Sequence, residues 1–115
     1  MKNFVKKPWG SFEIINDGEK YTLKKIIVNP GGQLSLQSHK HRSEHWLIAE
    51  GIAEVIINDE IFNLKENQHI FVPQGAKHRL TNIGKKNLVV VEMWYGDNLD
   101  ENDIIRYKDI YNRVP

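Results

Sequence analysis

A chain of 115 residues, 40% of them hydrophobic, is long enough to build one domain around a single core. Its 16 Lys and Arg against 15 Asp and Glu argue against nucleic acid or an anionic membrane as the main partner, since both call for a concentrated basic excess. With no cysteine there is no disulfide, and any metal must be held by nitrogen and oxygen ligands.

The opening stretch MKNFVKKPWG carries basic residues with no apolar run behind them, so it does not read as a signal peptide. Apolar stretches such as LVVVEMW are too short to span a bilayer, and a cytoplasmic protein is expected. Short runs rich in Ile, Val, Leu and aromatic residues predict strands at 11–16, 21–28, 34–39, 44–50, 52–57, 60–64, 69–72, 78–82 and 87–95. The breaks between them, NDGE, NPGG, KEN, PQGAK and NIGKK among them, have turn chemistry, and INDE at 57–60 reads as a tight hairpin. Strands this short and this close together predict an all-β sandwich or barrel. The tail DNLDENDIIRYKDIYNR differs: Asp100 can cap a helix, and Ile104, Ile105, Tyr107 and Tyr111 recur at near-helical spacing. One or two helical turns are expected there, packed outside the β body. No linker marks a second domain, so residues 1–115 are read as one.

The densest chemistry lies in SLQSHKHRSEHWLIAEG, residues 35–51. On a strand, Gln37, His39 and His41 would share a face. A short loop follows, and Glu44 opens the next strand. Much later PQGAKHRLTN, turning at Pro73 and Gly75, delivers His78. A His pair, a carboxylate and a distant third His suit one divalent ion: Zn, Mn, Fe, Ni or Co. The expected ligands are His39, His41, Glu44 and His78. An HxH alone would ordinarily be solvated loop sequence; the second motif shifts that balance.

These two stretches resemble the paired motifs of the cupin superfamily. GGQLSLQSHKHRSEHWLIAEG matches the first through Gly31 and Gly32, His39, His41, Glu44 and Gly51. Asn67, Pro73, Gly75, His78 and Asn82 keep the spacing of the second, with Asn67 in place of a glycine; Asn also accepts a positive φ. The gap from His41 to Glu44 is shorter than the motif's, so His45 competes with Glu44 as ligand. Glu44 is favoured because it keeps the six-residue gap to Gly51 and shares a face with Trp46 and Ile48. The resemblance implies a double-stranded β-helix, a jelly-roll-like barrel, here with a short C-terminal helix.

A narrower resemblance runs from Lys7 to Arg113. KPWGSFE, LSLQSHKHRSEHW, ENQHIFVPQGAKHRLTNIGK and DENDIIRYKDIYNR are similar to the C-terminal phosphomannose isomerase domain of type II bifunctional enzymes. Those enzymes join mannose-1-phosphate guanylyltransferase to mannose-6-phosphate isomerase. Gln37, His39, His41, Arg42, Glu44, His45 and Trp46 match that family's stretch, whereas Ser38 and Lys40 differ. The nucleotidyltransferase half would need a longer α/β domain with a Gly-rich loop, so the chain is expected to be a free-standing counterpart of the cupin portion.

The resemblance implies interconversion of mannose 6-phosphate and fructose 6-phosphate through an enediol, with one divalent metal, zinc first. Such chemistry needs a Lewis acid, a proton carrier and a phosphate anchor. Gln37 is expected to ligate the metal or touch a sugar oxygen. Lys24, Arg42 and Arg79 are the candidate phosphate anchors, and Lys24 and Arg79 also join the catalytic candidates. Lys24 shares a face with Ile26 and Val28, so it matters if that face is inward. Glu92 interrupts the apolar run LVVVEMWY and is the leading candidate base, with Glu13 and His45 behind it. His69 reads as a surface strand residue. Two other readings stand: a cupin epimerase of a sugar or sugar nucleotide, and a non-catalytic metal- or sugar-binding cupin. A homodimer is expected, with the segment FVKKPWGSFEII as its edge.

Overall fold

The computed structural model describes residues 4–113. Eleven strands make up the regular structure: β1 (Phe4–Lys7), β2 (Gly10–Asp17), β3 (Tyr21–Val28), β4 (Leu36–Ser38), β5 (Ser43–Glu50), β6 (Ala53–Ile57), β7 (Glu60–Leu64), β8 (His69–Val72), β9 (His78–Asn82), β10 (Leu88–Tyr95) and β11 (Ile105–Lys108). They form a six-stranded sheet in the order β1-β2-β3-β10-β5-β8 and a five-stranded sheet in the order β11-β4-β9-β6-β7. Every strand pairing is antiparallel. This is the expected all-β double-stranded β-helix.

Period-two alternation decides which residues enter the space between the sheets. Along β3, Thr22, Lys24, Ile26 and Val28 are buried while their neighbours are more open. Along β10, Leu88, Val90, Glu92 and Trp94 point in. Trp9, Phe12, Ile26, Val28, Leu34, Trp46, Ile48, Val55, Val72, Leu80, Leu88 and Val90 form the core. The polar inward residues, Lys24, Glu44, His78 and Glu92 among them, are concentrated at one side of that interior, beside the apolar core.

Turn chemistry is as the residues demand. Ile57 pairs with Glu60 across a two-residue turn in which Asn58 takes φ +54°. Asn67 takes φ +71°, the conformation that lets it stand where the motif carries glycine. Gly75, at φ +83°, completes the turn that sends β9 back into the sheet.

One expectation needs correction, and one strand was not predicted. The predicted C-terminal helix does not form: the described tail runs as turns around β11, which pairs with β4, Ile105 opposite Ser38 and Arg106 opposite Gln37. The open edge of β4 offers backbone partners that a short isolated helix would lack, so tertiary pairing overrides the helical spacing. The N-terminal segment also supplies a strand, β1, which folds back on β2 within the chain, with Phe4 opposite Glu13 and Lys7 opposite Gly10. Among the described residues no helix is long and apolar enough to cross a membrane.

Candidate metal centre

His39, Glu44 and His78 come together with their ligand atoms within 4.8 Å of one another, all three buried. Each arrives by a different route. His39 follows the end of β4, Glu44 is the inward residue at the head of β5, and His78 opens β9 directly opposite Gln37. The imidazole rings of His39 and His78 lie 4.9 Å apart.

Hydrogen bonding sets the tautomers. Nδ1 of His39 is 2.7 Å from the Asp103 carbonyl oxygen, and Nδ1 of His78 is 2.9 Å from that of Ala76. A carbonyl only accepts, so both Nδ1 atoms carry a proton, and Nε2 is the ring nitrogen each side chain has left to offer a metal. Burial holds the His39 imidazole down at about 4, so it is neutral at physiological pH despite the pull of Glu44. Burial works to raise the Glu44 carboxyl, but His78, Arg42 and His39 outweigh it and hold it at about 2. Two imidazole nitrogens and an ionised carboxylate, converging within 4.8 Å, are a donor set that fits a divalent metal.

Arg42 shares this space. Its guanidinium donates from Nε to Glu44 Oε2 at 2.9 Å, and its Nη2 lies 3.1 Å from His39 Nε2. The same side chain lies 3.3 Å from the Trp94 ring. A cation therefore already balances the buried carboxylate, and a metal ion on these three ligands requires the guanidinium to move off them.

His41 is not brought to the group. Its side chain is exposed. Strand alternation ends at Ser38, and the Asp103 carboxylate accepts from the backbone amides of Lys40 and His41 at 2.9 Å each, bending the chain there. His45 is also exposed, on the opposite face of β5, where it packs against Phe71 at 4.9 Å. The exposed side chain of His69 lies on β8.

A cavity of about 220 Å³ opens beside the group. Gln37, Lys24, Arg42 and Glu92 line it together with the three candidate ligands, and Arg79 does not. Arg79 alternates with the inward His78 and is spent on backbone carbonyls of Leu34 and Lys108. Gln37 donates to the Ser35 carbonyl at 3.3 Å. Lys24, 2% exposed, donates to Glu101 at 2.6 Å and lies 3.5 Å from the Trp94 ring. Burial lowers its pKa, against the charges of Glu92 and Glu101. Glu92 goes the other way: burial first, then the Glu44 carboxylate, push it well above the ordinary carboxylate range. Trp94 Nε1 donates to Glu92 at 2.7 Å and Trp46 Nε1 donates to Glu44 at 2.8 Å.

The C-terminal segment supplies what sequence reasoning missed. Glu101, Asn102, Ile104, Arg106 and Arg113 all line the cavity. The available signal was the strand-like run Ile104-Ile105-Arg106-Tyr107, whose spacing suits a helix equally well.

The chain matches the family described as Mannose-6-phosphate isomerase C-terminal over residues 1–109. It is 46% identical over 110 residues to the Xanthan biosynthesis protein XanB of Xanthomonas campestris pv. campestris, covering 96% of this chain and 24% of that protein. It is likewise 46% identical over 114 residues to the Mannose-1-phosphate guanylyltransferase ManC of Salmonella typhimurium, covering 99% of this chain and 24% of ManC. The chain thus spans about a quarter of the length of these relatives. Among solved structures, the cupin domain of Schizosaccharomyces pombe Cnp3 superposes with a TM-score of 0.71 at 22% identity, over 76% of this chain and 64% of that one, a likeness of fold. The two-sheet barrel thus has the cupin fold, and the chain belongs to the Mannose-6-phosphate isomerase C-terminal family.

Proposed function

We propose that this chain is a metal-dependent aldose–ketose isomerase that interconverts mannose 6-phosphate and fructose 6-phosphate. The observation that carries this reading is the cavity. A His/His/Glu group, a carboxyl with a raised pKa and several cations face one space. Family membership supports the same substrate class.

A divalent ion held by His39, Glu44 and His78, zinc first and Mn, Co, Ni or Fe as alternatives, would supply Lewis-acid polarisation of the substrate oxygens at C1 and C2. The chain's own residues do the rest. Glu92 is the proton carrier: a carboxyl whose pKa is pushed up is a stronger base once ionised, and it can take the C2 proton and return it at C1. Lys24 balances the charge of the ionised Glu92, which is neutralised as it takes that proton. Gln37 holds a sugar hydroxyl through its amide. Arg42, freed from Glu44, turns its fork to the substrate. The proton leaves C2 as O1 is protonated and the enediol forms, and it arrives at C1 as O2 gives up its proton and the ketose forms; with one proton moved between the carbons and one between the oxygens, the reaction is balanced without a redox partner. The substrate is expected to bind to a cytoplasmic homodimer.

Turnover of mannose 6-phosphate is the test, on protein stripped with EDTA and given each metal singly, with His39→Ala as control. Activity restored by metal in the wild type and absent from His39→Ala is the expected result. No turnover with any ion, in a protein that still binds one, overturns the isomerase. A second reading is favoured by one contact: Arg42 already bridges two of the three ligands. On that reading the chain binds a sugar phosphate without metal and without turnover.

A further inference from the structure

Among the described residues, three buried side-chain polar atoms have no hydrogen-bond partner: Ser35 Oγ, Arg42 Nη1 and Arg106 Nε. Ser35 is 1% exposed and Arg42 5%. All three residues line the same cavity. A buried donor left unpaired is costly, and folded proteins contain few of them. Three converging on one space mark the place where a ligand supplies acceptors. Two of the three are guanidinium nitrogens, so the complement is an oxyanion.

Strand register says where that anion sits. Arg106 on β11 is opposite Gln37 on β4, and Gln37 is opposite His78 on β9. Directly opposed residues share a face, so Arg106, Gln37 and His78 form a row across the sheet. With neighbouring strands about 4.8 Å apart, the Arg106 backbone lies roughly 10 Å from that of His78. In a hexose 6-phosphate the carbonyl end and the phosphate stand at opposite ends of the molecule. A row with candidate ligands at one end, an amide in the middle and a guanidinium at the other has the same order.

Lys7 also lines the cavity, with its ammonium 5.9 Å from the centre of the Phe12 ring. Three further cations are committed elsewhere. Lys24 is held by Glu101, and Arg79 by backbone carbonyls outside the cavity. Arg113 also lines the cavity, but Asp109 takes it with both oxygens, at 2.7 and 3.1 Å. That ion pair leaves Arg106 beside a second guanidinium whose counterion is already used. Burial and the neighbouring Arg113 press the pKa of Arg106 down, and the charge of Asp109 offsets them only in part.

We propose that Arg106 is the anion anchor of this cavity, binding the phosphate of a phosphorylated sugar on β11, two strands away from His78. This deepens the isomerase reading and rests on it for the identity of the sugar. The test is calorimetric titration of inorganic phosphate and of mannose 6-phosphate into the wild type, Arg106→Gln, Arg106→Lys and, as a charge control, Lys85→Gln in the exposed turn after β9. The wild type and Lys85→Gln should bind both ligands equally well. Arg106→Gln should bind both at least ~10-fold more weakly, the loss of a charge-assisted pair, with unchanged melting temperature and metal content. Arg106→Lys should fall between, since it keeps the charge and loses the fork; it decides the matter if the Gln variant does not fold. Wild-type affinity in folded Arg106→Gln overturns the anchor, and so does a wild type that binds neither ligand. Failure of the isomerase reading looks different: phosphate binding that depends on Arg106 with no turnover under any metal. Turnover with a KM unchanged in Arg106→Gln removes the anchor and leaves the isomerase standing.

Discussion

Glu44 and Glu92 show how neighbours set the charge of a buried carboxyl. Both are inward on adjacent strands, both are nearly inaccessible, and each accepts an indole N–H from the tryptophan two residues on. Glu44 has Arg42 and two imidazoles around it and is ionised. Glu92 has Lys24, whose ammonium also answers to Glu101, and its pKa is pushed well up. Opposite responses to substitution follow. Glu44→Gln leaves Arg42 buried without its counter-charge and should destabilise by about 3–5 kcal/mol in chemical denaturation. Glu92→Gln imitates the protonated form. A carboxyl whose folded pKa is raised contributes stability below its unfolded value near 4.5, and that contribution is lost as pH rises through the folded pKa. Glu92→Gln should therefore melt higher than the wild type at pH 8, with the gap closing towards pH 5, while isomerase turnover disappears.

His39 gives the complementary pH dependence. Its folded pKa of about 4 lies below the ordinary 6.5, so the unfolded chain takes up the proton first. In metal-free protein, stability conferred by neutral His39 is present above pH 6.5 and is lost as pH falls towards 4, on the order of 3 kcal/mol. Urea midpoints measured at half-unit steps should fall across that window in the wild type. In His39→Gln the slope should flatten.

At the scale of elements, the segment from Asp100 to Arg113 is the decisive piece. It adds β11 to the second sheet, and Asp103 supplies a carbonyl to His39 and a carboxylate to the amides of Lys40 and His41. Asp103→Ala removes the two exposed carboxylate bonds to Lys40 and His41 but keeps the carbonyl that holds His39, so it should cost about 1 kcal/mol of stability and loosen the chain around His39. Faster amide exchange at Lys40 and His41 would locate the cause. This segment was also the least legible in the sequence. Ile104, Ile105, Tyr107 and Tyr111 satisfy a helical spacing, and nothing local says that the edge of β4, some seventy residues earlier, needs a partner. Arg106 becomes a cavity residue only through that pairing. His41 failed for a related reason: the alternation that unites it with His39 assumes a strand, and Asp103 bends the chain one residue after His39. Lys24, by contrast, was readable because β3 keeps strict alternation from end to end and places it with Ile26 and Val28. The strands from β2 to β10 and the turns at Asn58, Asn67 and Gly75 were readable on the same ground, since period and turn chemistry are local properties.

For the whole molecule, the division of the interior into an apolar core and a charged cavity makes ligand and stability inseparable. A metal bound to His39, Glu44 and His78 adds its binding energy to folding. Zinc at a hundred times its dissociation constant should raise stability by about 2.7 kcal/mol in the wild type, read as a shift in melting temperature, and should do nothing for His78→Ala.

The three tryptophans give that interior a voice. The chain has three, Trp9, Trp46 and Trp94, and every one is buried and lines the cavity. Two donate their indole N–H to Glu44 and Glu92, and Trp94 also lies against the guanidinium of Arg42. The indole emission of the protein therefore belongs almost wholly to its site. Metal that displaces Arg42, or a substrate that changes the charge on Glu92, should alter that emission without any label. In unfolding, emission times the opening of the site, whereas circular dichroism times the loss of strands. Whether the two curves coincide measures whether the barrel and its chemistry come apart in one step.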